Sequence, residues 1–211
     1  MTDAEAREAL VRHGRSLFAR GYSCGTSGNL SVRLSNGRHL MTPTNVSLGS
    51  LEPGRLSTLD SSGAHLNGPT PTKEAWLHMA MYKSRPGDTA VVHLHSTYAT
   101  AFSCLTDRPA DDVLPAMTPY VVMRVGRVAR VPYARPGDQT AAATISALAV
   151  AHRALLLANH GPVVSGSSLD AAVAAAEELE ETAKLFFVLG DRPYRRLDAE
   201  QIDELRRVFG S

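Results

Sequence analysis

The run Ala90-Val91-Val92-His93-Leu94-His95 constrains this chain more than any other segment, because it sets two imidazoles two positions apart inside an apolar stretch. Residues 89–95 read as a strand, short, apolar and preceded by the breaker Pro86-Gly87. Side chains alternate faces along a strand, so His93 and His95 point the same way. One ring cannot sit in the core while the other meets solvent on the opposite face. Two imidazoles one pleat apart can share a metal ion. The stretch therefore asks the rest of the chain for a third ligand.

Around this strand the periodicity is mixed. Residues 3–20 predict an amphipathic helix with Ala6, Leu10, Leu17 and Phe18 toward the core, ended by Gly21. Residues 25–45 predict a hairpin: Leu30, Val32 and Leu34 alternate with polar residues, and Asn36-Gly37 signals a type I′ turn. A second strand pair brackets 58–68. A helix over 73–84 follows, with Thr72 as N-cap and Pro86-Gly87 as its stop. Beyond the histidine strand come a helix over 97–105, a short strand within 123–138 and an alanine-rich helix over 139–152. Two apolar strands then flank a polar corner in 153–166. A long helix over 168–189 and a closing helix with Asp198 and Gln201 at capping-box spacing finish the chain. The acidic run 177–181 reads as a solvated helix face. This pattern predicts an α/β fold, three layers α/β/α around a central, mainly antiparallel sheet.

Length and composition narrow the function. The 211 residues contain no linker, so 1–211 reads as a single domain. Twenty-two basic against 21 acidic residues leave a formal charge of +1, which argues against nucleic acid or an anionic membrane as partner. Cys24 and Cys104 are too few for a disulfide scaffold or a cysteine zinc site and read as plain buried thiols. The first residues are charged and helical, and no apolar run approaches the roughly 18 residues of a membrane span. A soluble, cytoplasmic protein is expected.

His160 supplies the third ligand candidate, at a strand end on the sharp corner Asn159-His160-Gly161-Pro162, where scaffolds place chemistry. With His93 and His95 it would complete a zinc-type set with an open position. His78, on the 73–84 helix, competes for that role but reads better as a packed helix histidine. His13, His39, His65 and His152 lack ligand-like spacing and read as surface residues. Glu74 falls in the first turn of its helix, where the dipole favours an ionised carboxylate. The segments "GTSGN" (25–29) and "TPTN" (42–45) combine glycine, hydroxyls and amides at strand ends, as anion-binding nests do. Two other three-histidine folds do not fit: a cupin has an acid soon after its H-x-H, and an amidohydrolase barrel needs about 250 residues.

The order Glu74, His93-x-His95, His160, preceded by "GTSGN" and "TPTN", resembles the class II aldolase/adducin family over roughly residues 5–190. That resemblance implies a divalent metal, usually Zn2+ with Co2+ or Mn2+ as alternatives, on His93, His95 and His160. It implies Glu74 as acid/base. It maps a phosphate pocket onto Thr26, Gly28, Asn29, Thr44, Asn45, Thr72 and Lys73. It also implies a homotetramer with active sites between subunits, Tyr120 reaching the neighbour's site. Asn45 and Lys73 stand where the family's fuculose-phosphate aldolases carry glycine and serine. The stretches "TPTNVSLGSLEPGRLSTLD", "PTKE", "VVHLHST", "TPYVVMRVG", "PYARPGD", "LLANHGPVVSG" and "EELEETAKL" look instead like the family's 3-oxo-tetronate 4-phosphate decarboxylases, apart from Thr72 in place of serine and Tyr98 in place of histidine.

The chemistry implied is coherent. A 3-oxo-tetronate 4-phosphate is a β-keto acid, and loss of CO2 leaves an electron pair on C2 that the C3 carbonyl must accept. A divalent cation near those oxygens stabilises the charge as a Lewis acid. The resulting enediolate of dihydroxyacetone phosphate is also what a sugar-phosphate aldolase of the fuculose or rhamnulose type generates, so aldolase or epimerase is the alternative expectation. A non-catalytic adducin-like interaction module is the third, opposed by the presence of all four candidate ligands.

Overall fold

In a computed structural model of the protein, residues 2–135 and 137–209 are described. Met1, Gly210 and Ser211, at the ends of the expected 1–211 domain, and Pro136 in the "PYARPGD" stretch lie outside the described residues. Eight strands form one sheet: β1 Asn29–Arg33, β2 His39–Met41, β3 Ser57–Leu59, β4 His65–Asn67, β5 Ala90–His93, β6 Val128–Val131, β7 Ala154–Leu157 and β8 Gly161–Gly166. Their spatial order is β4-β3-β2-β1-β5-β8-β7-β6. Every pairing is antiparallel except that of β6 with β7. The histidine-bearing β5 therefore lies in the middle of the sheet beside β8, which His160 immediately precedes.

Helices cover both faces of the sheet, and strand parity divides the core between them. Ala90 and Val92 of β5, Ala154 and Leu156 of β7 and Val164 of β8 pack with α1 (Asp3–Ala19), α3 (Thr97–Ser103) and α5 (Leu169–Leu189). Val91, Leu155, Leu157 and Val163 pack on the other face with α2 (Ala75–Ser84) and α4 (Ala142–Ala149). Apolar residues on both faces of these central strands produce the near-continuous hydrophobic runs of the sequence. By the same parity His93 and His95 face α2. Phe102 of α3, fully buried, meets Phe186 and Phe187 of α5 edge-on, with ring centroids 5.1 and 6.2 Å apart. A closing helix, α6 (Ala199–Phe209), begins with the expected reciprocal bonds between Asp198 and Gln201.

Several expectations are corrected. β5 ends at His93 and His95 lies just past it, although Leu94 still donates its N–H to Pro162 O at 3.2 Å and keeps the alternation going. The turn at Asn36-Gly37 is not type I′. Gly37 alone is left-handed, at φ 80°, and closes a three-residue connection in which its N–H donates to Leu34 O. Phe18 lies 40% exposed, outside the core. His39 and His152 are buried, because the neighbouring strand at Asp60 and the loop at Asp111 cover them and accept their ring hydrogen bonds. Cys24 and Cys104 are exposed instead of buried. Glu180 is buried within the acidic run, where its carboxylate accepts the N–H groups of Tyr98 and Ala99 at the start of α3.

Candidate metal centre

Three local devices bring the candidate ligands together. His93 ends β5 and donates its Nδ1–H to the carbonyl of Pro162 at 2.8 Å, which leaves the lone pair on Nε2. His160 ends the tight turn from β7 to β8, where Asn159 adopts a left-handed φ of 57°. Gly161 follows at φ 155°, and a Cβ there would stand 2.4 Å from Leu94 O. Only glycine lets this turn lie so close to the end of β5, beside His95. Helix α3 braces the turn: Ser103 Oγ accepts the His160 N–H, and Thr100 Oγ1 donates to the His160 carbonyl.

Glu74 arrives from a different direction. Thr44 N–H donates to Thr70 O and Thr72 N–H to Thr42 O, so residues 42–44 and 70–72 pair like short strands. Thr72 then accepts from Ala75 N–H through its carbonyl and from Glu74 N–H through Oγ1. The helix cannot start until that pairing is finished. Glu74 is therefore the N-cap of α2 and not a first-turn residue, with Thr72 capping the turn before it.

The four side chains converge. His95 Nε2 lies 3.1 Å from His93 Nε2 and 3.0 Å from His160 Nε2. Glu74 Oε2 is 3.3 Å from His93 Nε2 and Oε1 is 3.2 Å from His160 Nε2. All four ligand atoms lie within 4.8 Å of one another. Tetrahedral zinc with bonds of about 2.0–2.1 Å separates its ligands by about 3.3 Å, so the donor set fits a divalent metal. Electrostatics agree. Burial pushes the His93 imidazole down to about 4, and burial with the nearby His160 lowers His95, so both rings are neutral near pH 7 and hold lone pairs for a cation. Burial alone would raise the Glu74 carboxyl, but His93, the Asn29 amide, His160 and His95 together hold it below its usual range.

A cavity of about 310 Å³ opens onto this cluster. Its walls include Glu74, His95 and His160 together with Thr26, Gly28, Asn29, Thr44, Asn45, Thr72 and Lys73. Every residue of the expected phosphate pocket thus reaches one space beside the histidines. Gly28, at φ 77°, lets the 25–29 turn approach His93 O, and Asn45 is left-handed at φ 58°. Lys73 is the one Lys or Arg side chain among the described residues lining the cavity. Tyr120 does not join it within its own chain; it is 55% exposed at the start of the helical turn Val121–Val125. Tyr98 turns its ring toward Phe187 and Lys184 of α5, away from the cavity lining.

The family profile described as Class II Aldolase and Adducin N-terminal domain matches residues 8–187. The chain belongs to the class II aldolase and adducin family. Within that family it is 52% identical over 200 residues to the 3-oxo-tetronate 4-phosphate decarboxylase of Escherichia coli (strain K12), covering 95% of this chain and 94% of that protein. Similarity to the L-fuculose phosphate aldolase of Methanococcus maripaludis (strain DSM 14266) is lower, 35% over 182 residues, covering 86% of this chain and 96% of that protein. The crystal structure of YgbL from Klebsiella pneumoniae shares the class II aldolase fold with this chain: TM-score 0.96 and 50% identity over 98% of this chain and all of that one.

Behind the candidate ligands of this class II aldolase fold lies a second set of polar residues, of which sequence reasoning named Asn29 for the phosphate pocket and His78 as a packed histidine but missed Ser31 and Tyr82. Asn29 Nδ2 donates to Glu74 Oε2 at 2.8 Å, and its Oδ1 lies 2.5 Å from His78 Nε2. His78 Nδ1 meets Ser31 Oγ at 2.7 Å, and Ser31 Oγ meets the Tyr82 hydroxyl at 2.8 Å. His78 is thus the packed helix histidine expected, not a ligand. Asn29 and Ser31 are the polar members of the β1 alternation. A strand this central has no solvent face, which was the available signal that they must be bonded inside.

Proposed function

We propose that this chain is a metal-dependent 3-oxo-tetronate 4-phosphate decarboxylase, a carboxy-lyase releasing CO2 and dihydroxyacetone phosphate. The observation that carries the reading is 52% identity across nearly the full length of a decarboxylase of that name, against 35% to an L-fuculose phosphate aldolase. A divalent cation held by His93, His95 and His160, with Zn2+ the expected ion and Co2+ or Mn2+ the alternatives, would supply Lewis-acid stabilisation of the charge left as CO2 departs.

The chain's own residues do the rest. Thr26, Gly28, Asn29, Thr44, Asn45, Thr72 and Lys73 hold the C4 phosphate and orient the keto acid in the cavity. Lys73 adds the positive charge. Breaking the C1–C2 bond sends its electron pair into the C3 carbonyl, and one proton must then reach C2. Glu74, at the junction of the cavity and the histidines, relays that proton from the cavity. Tyr120 of a neighbouring copy is the other candidate donor, and its exposure on its own chain suits such a reach. The same reading takes residues 1–211 as one three-layer α/β/α domain, working in the cytoplasm as a homotetramer with active sites at subunit interfaces. No described helix is long and apolar enough to cross a membrane, and neither nucleic acid nor membrane is assigned as a partner.

The deciding assay supplies metal-loaded protein with 3-oxo-tetronate 4-phosphate and follows dihydroxyacetone phosphate through an NADH-consuming reductase. Parallel reactions contain fuculose 1-phosphate or rhamnulose 1-phosphate. The keto acid should turn over fastest, and Glu74→Gln should lose about 10²–10⁴ in rate with its metal content largely intact. Faster cleavage of the sugar phosphates would assign an aldolase to the same residues. No turnover of any of the three would point to an epimerase or dehydratase branch.

A further inference from the structure

In the line of side chains behind Glu74 only Asn29 has a part in the chemistry assigned so far, yet all of the line is built into the core. Ser31 and His78 are fully buried, Tyr82 is 3% exposed and Asn29 is 5% exposed. They come from β1 and α2, and each satisfies the next: Tyr82 to Ser31, Ser31 to His78, His78 to Asn29, Asn29 to Glu74. A buried polar network that is fully satisfied fixes one arrangement of its members.

The direction of each bond follows from the chemistry of its ends. Tyr82 keeps its proton, since burial pushes its hydroxyl up, and it donates to Ser31. Ser31 then turns its own hydrogen toward His78 Nδ1. Burial pushes His78 down to about 3, so the ring is neutral, with Nδ1 accepting and Nε2 carrying the hydrogen. That Nε2–H requires an acceptor and draws Oδ1 of the Asn29 amide. Nδ2 is left to face the Glu74 carboxylate. A flipped amide would set Oδ1 against Glu74 Oε2 and Nδ2 against a donor, two repulsive contacts at once.

We propose that His78 is a positioning residue for Glu74: its Nε2–H fixes the Asn29 amide, and the Asn29 Nδ2–H holds the carboxylate at the edge of the histidine cluster. Ser31 and Tyr82 fix the His78 tautomer. This rests on the reading of Glu74 as the proton-transferring group. Polar partners one step behind a reacting or ligating group typically change activity by 10–100-fold when removed, because small displacements of the reacting group are costly.

The test has a spectroscopic and a kinetic arm, both on metal-loaded protein. Long-range 1H–15N correlation on 15N-labelled wild type, with the His78 signals assigned by their loss in His78→Gln, should show the Nε2–H tautomer. His78→Leu should lower kcat by about 10–100-fold with KM and metal content nearly unchanged. His78→Gln, which still offers an N–H toward Asn29 Oδ1, should recover most of kcat. An Nδ1–H tautomer overturns the proposal, and so does His78→Leu at wild-type kcat or His78→Gln as impaired as leucine. Should His78→Leu fail to fold, the tautomer and the glutamine variant decide. Wild type inert toward the keto acid defeats the decarboxylase reading alone; the tautomer, measured without substrate, then supports or overturns the orientation of Asn29.

Discussion

Lowering the pH from 7 to 5 should destabilise this fold through His78, and glutamine at that position should remove the effect. The ring is fully buried, with Asn29 and Ser31 on its two nitrogens. Burial dominates in pushing it down to about 3; His93 and His39 add to the shift, and Glu74 opposes it. In the unfolded chain a histidine titrates near ~6.5. Above that value both states hold a neutral ring and the native arrangement keeps its full stability. As the pH falls below it, the unfolded chain takes up a proton that the folded chain refuses, so stability is lost progressively down to about pH 3. Linkage makes the loss about 2 kcal/mol between pH 7 and 5, and about 4 kcal/mol by pH 3. Against a typical stability of 5–15 kcal/mol that is readily measured. The assay is urea unfolding of chelator-treated wild type and His78→Gln at several pH values and one protein concentration. His93, His95 and His39 are shifted downward as well, but they are common to both proteins. The difference between the two pH profiles therefore isolates His78. Parallel profiles would refute the reasoning, since the ring would then accept a proton as easily inside the fold as outside it.

His160→Ala should lower metal content and activity together, because it removes one of three imidazoles from the cluster; elemental analysis showing full occupancy with normal turnover would reject His160 as a ligand. Light scattering should give a tetramer of the 22.6 kDa chain, and Tyr120→Phe should slow turnover without altering metal content. A monomer at working concentration would remove the neighbouring copy from the site and leave Tyr120 without that role.

What the sequence determined by itself is what depends on local spacing. Period-2 parity in residues 90–95 put His93 and His95 on one face before any partner strand was known, and the alternation that runs through β5 and on past Leu94 bears that out. The Asp198–Gln201 cap and the placement of His160 on a corner are likewise set within a few residues. Burial, by contrast, is a property of what covers a residue. His39 and His152 have no ligand spacing and looked like surface, yet Asp60 and Asp111 carbonyls distant in sequence enclose them. Glu180 lies in a run that looks solvated, and α3 makes it a buried acceptor. The start of α2 moved to Ala75 because residues 70–72 pair with 42–44, a long-range contact no helix signal encodes. The support behind Glu74 is the clearest case. Asn29 stands 45 residues from Glu74 and 49 from His78, so their hydrogen bonds exist only once β1 and α2 are packed together. Local pattern singled out the candidate ligands; non-local packing decided how the carboxylate beside them is held.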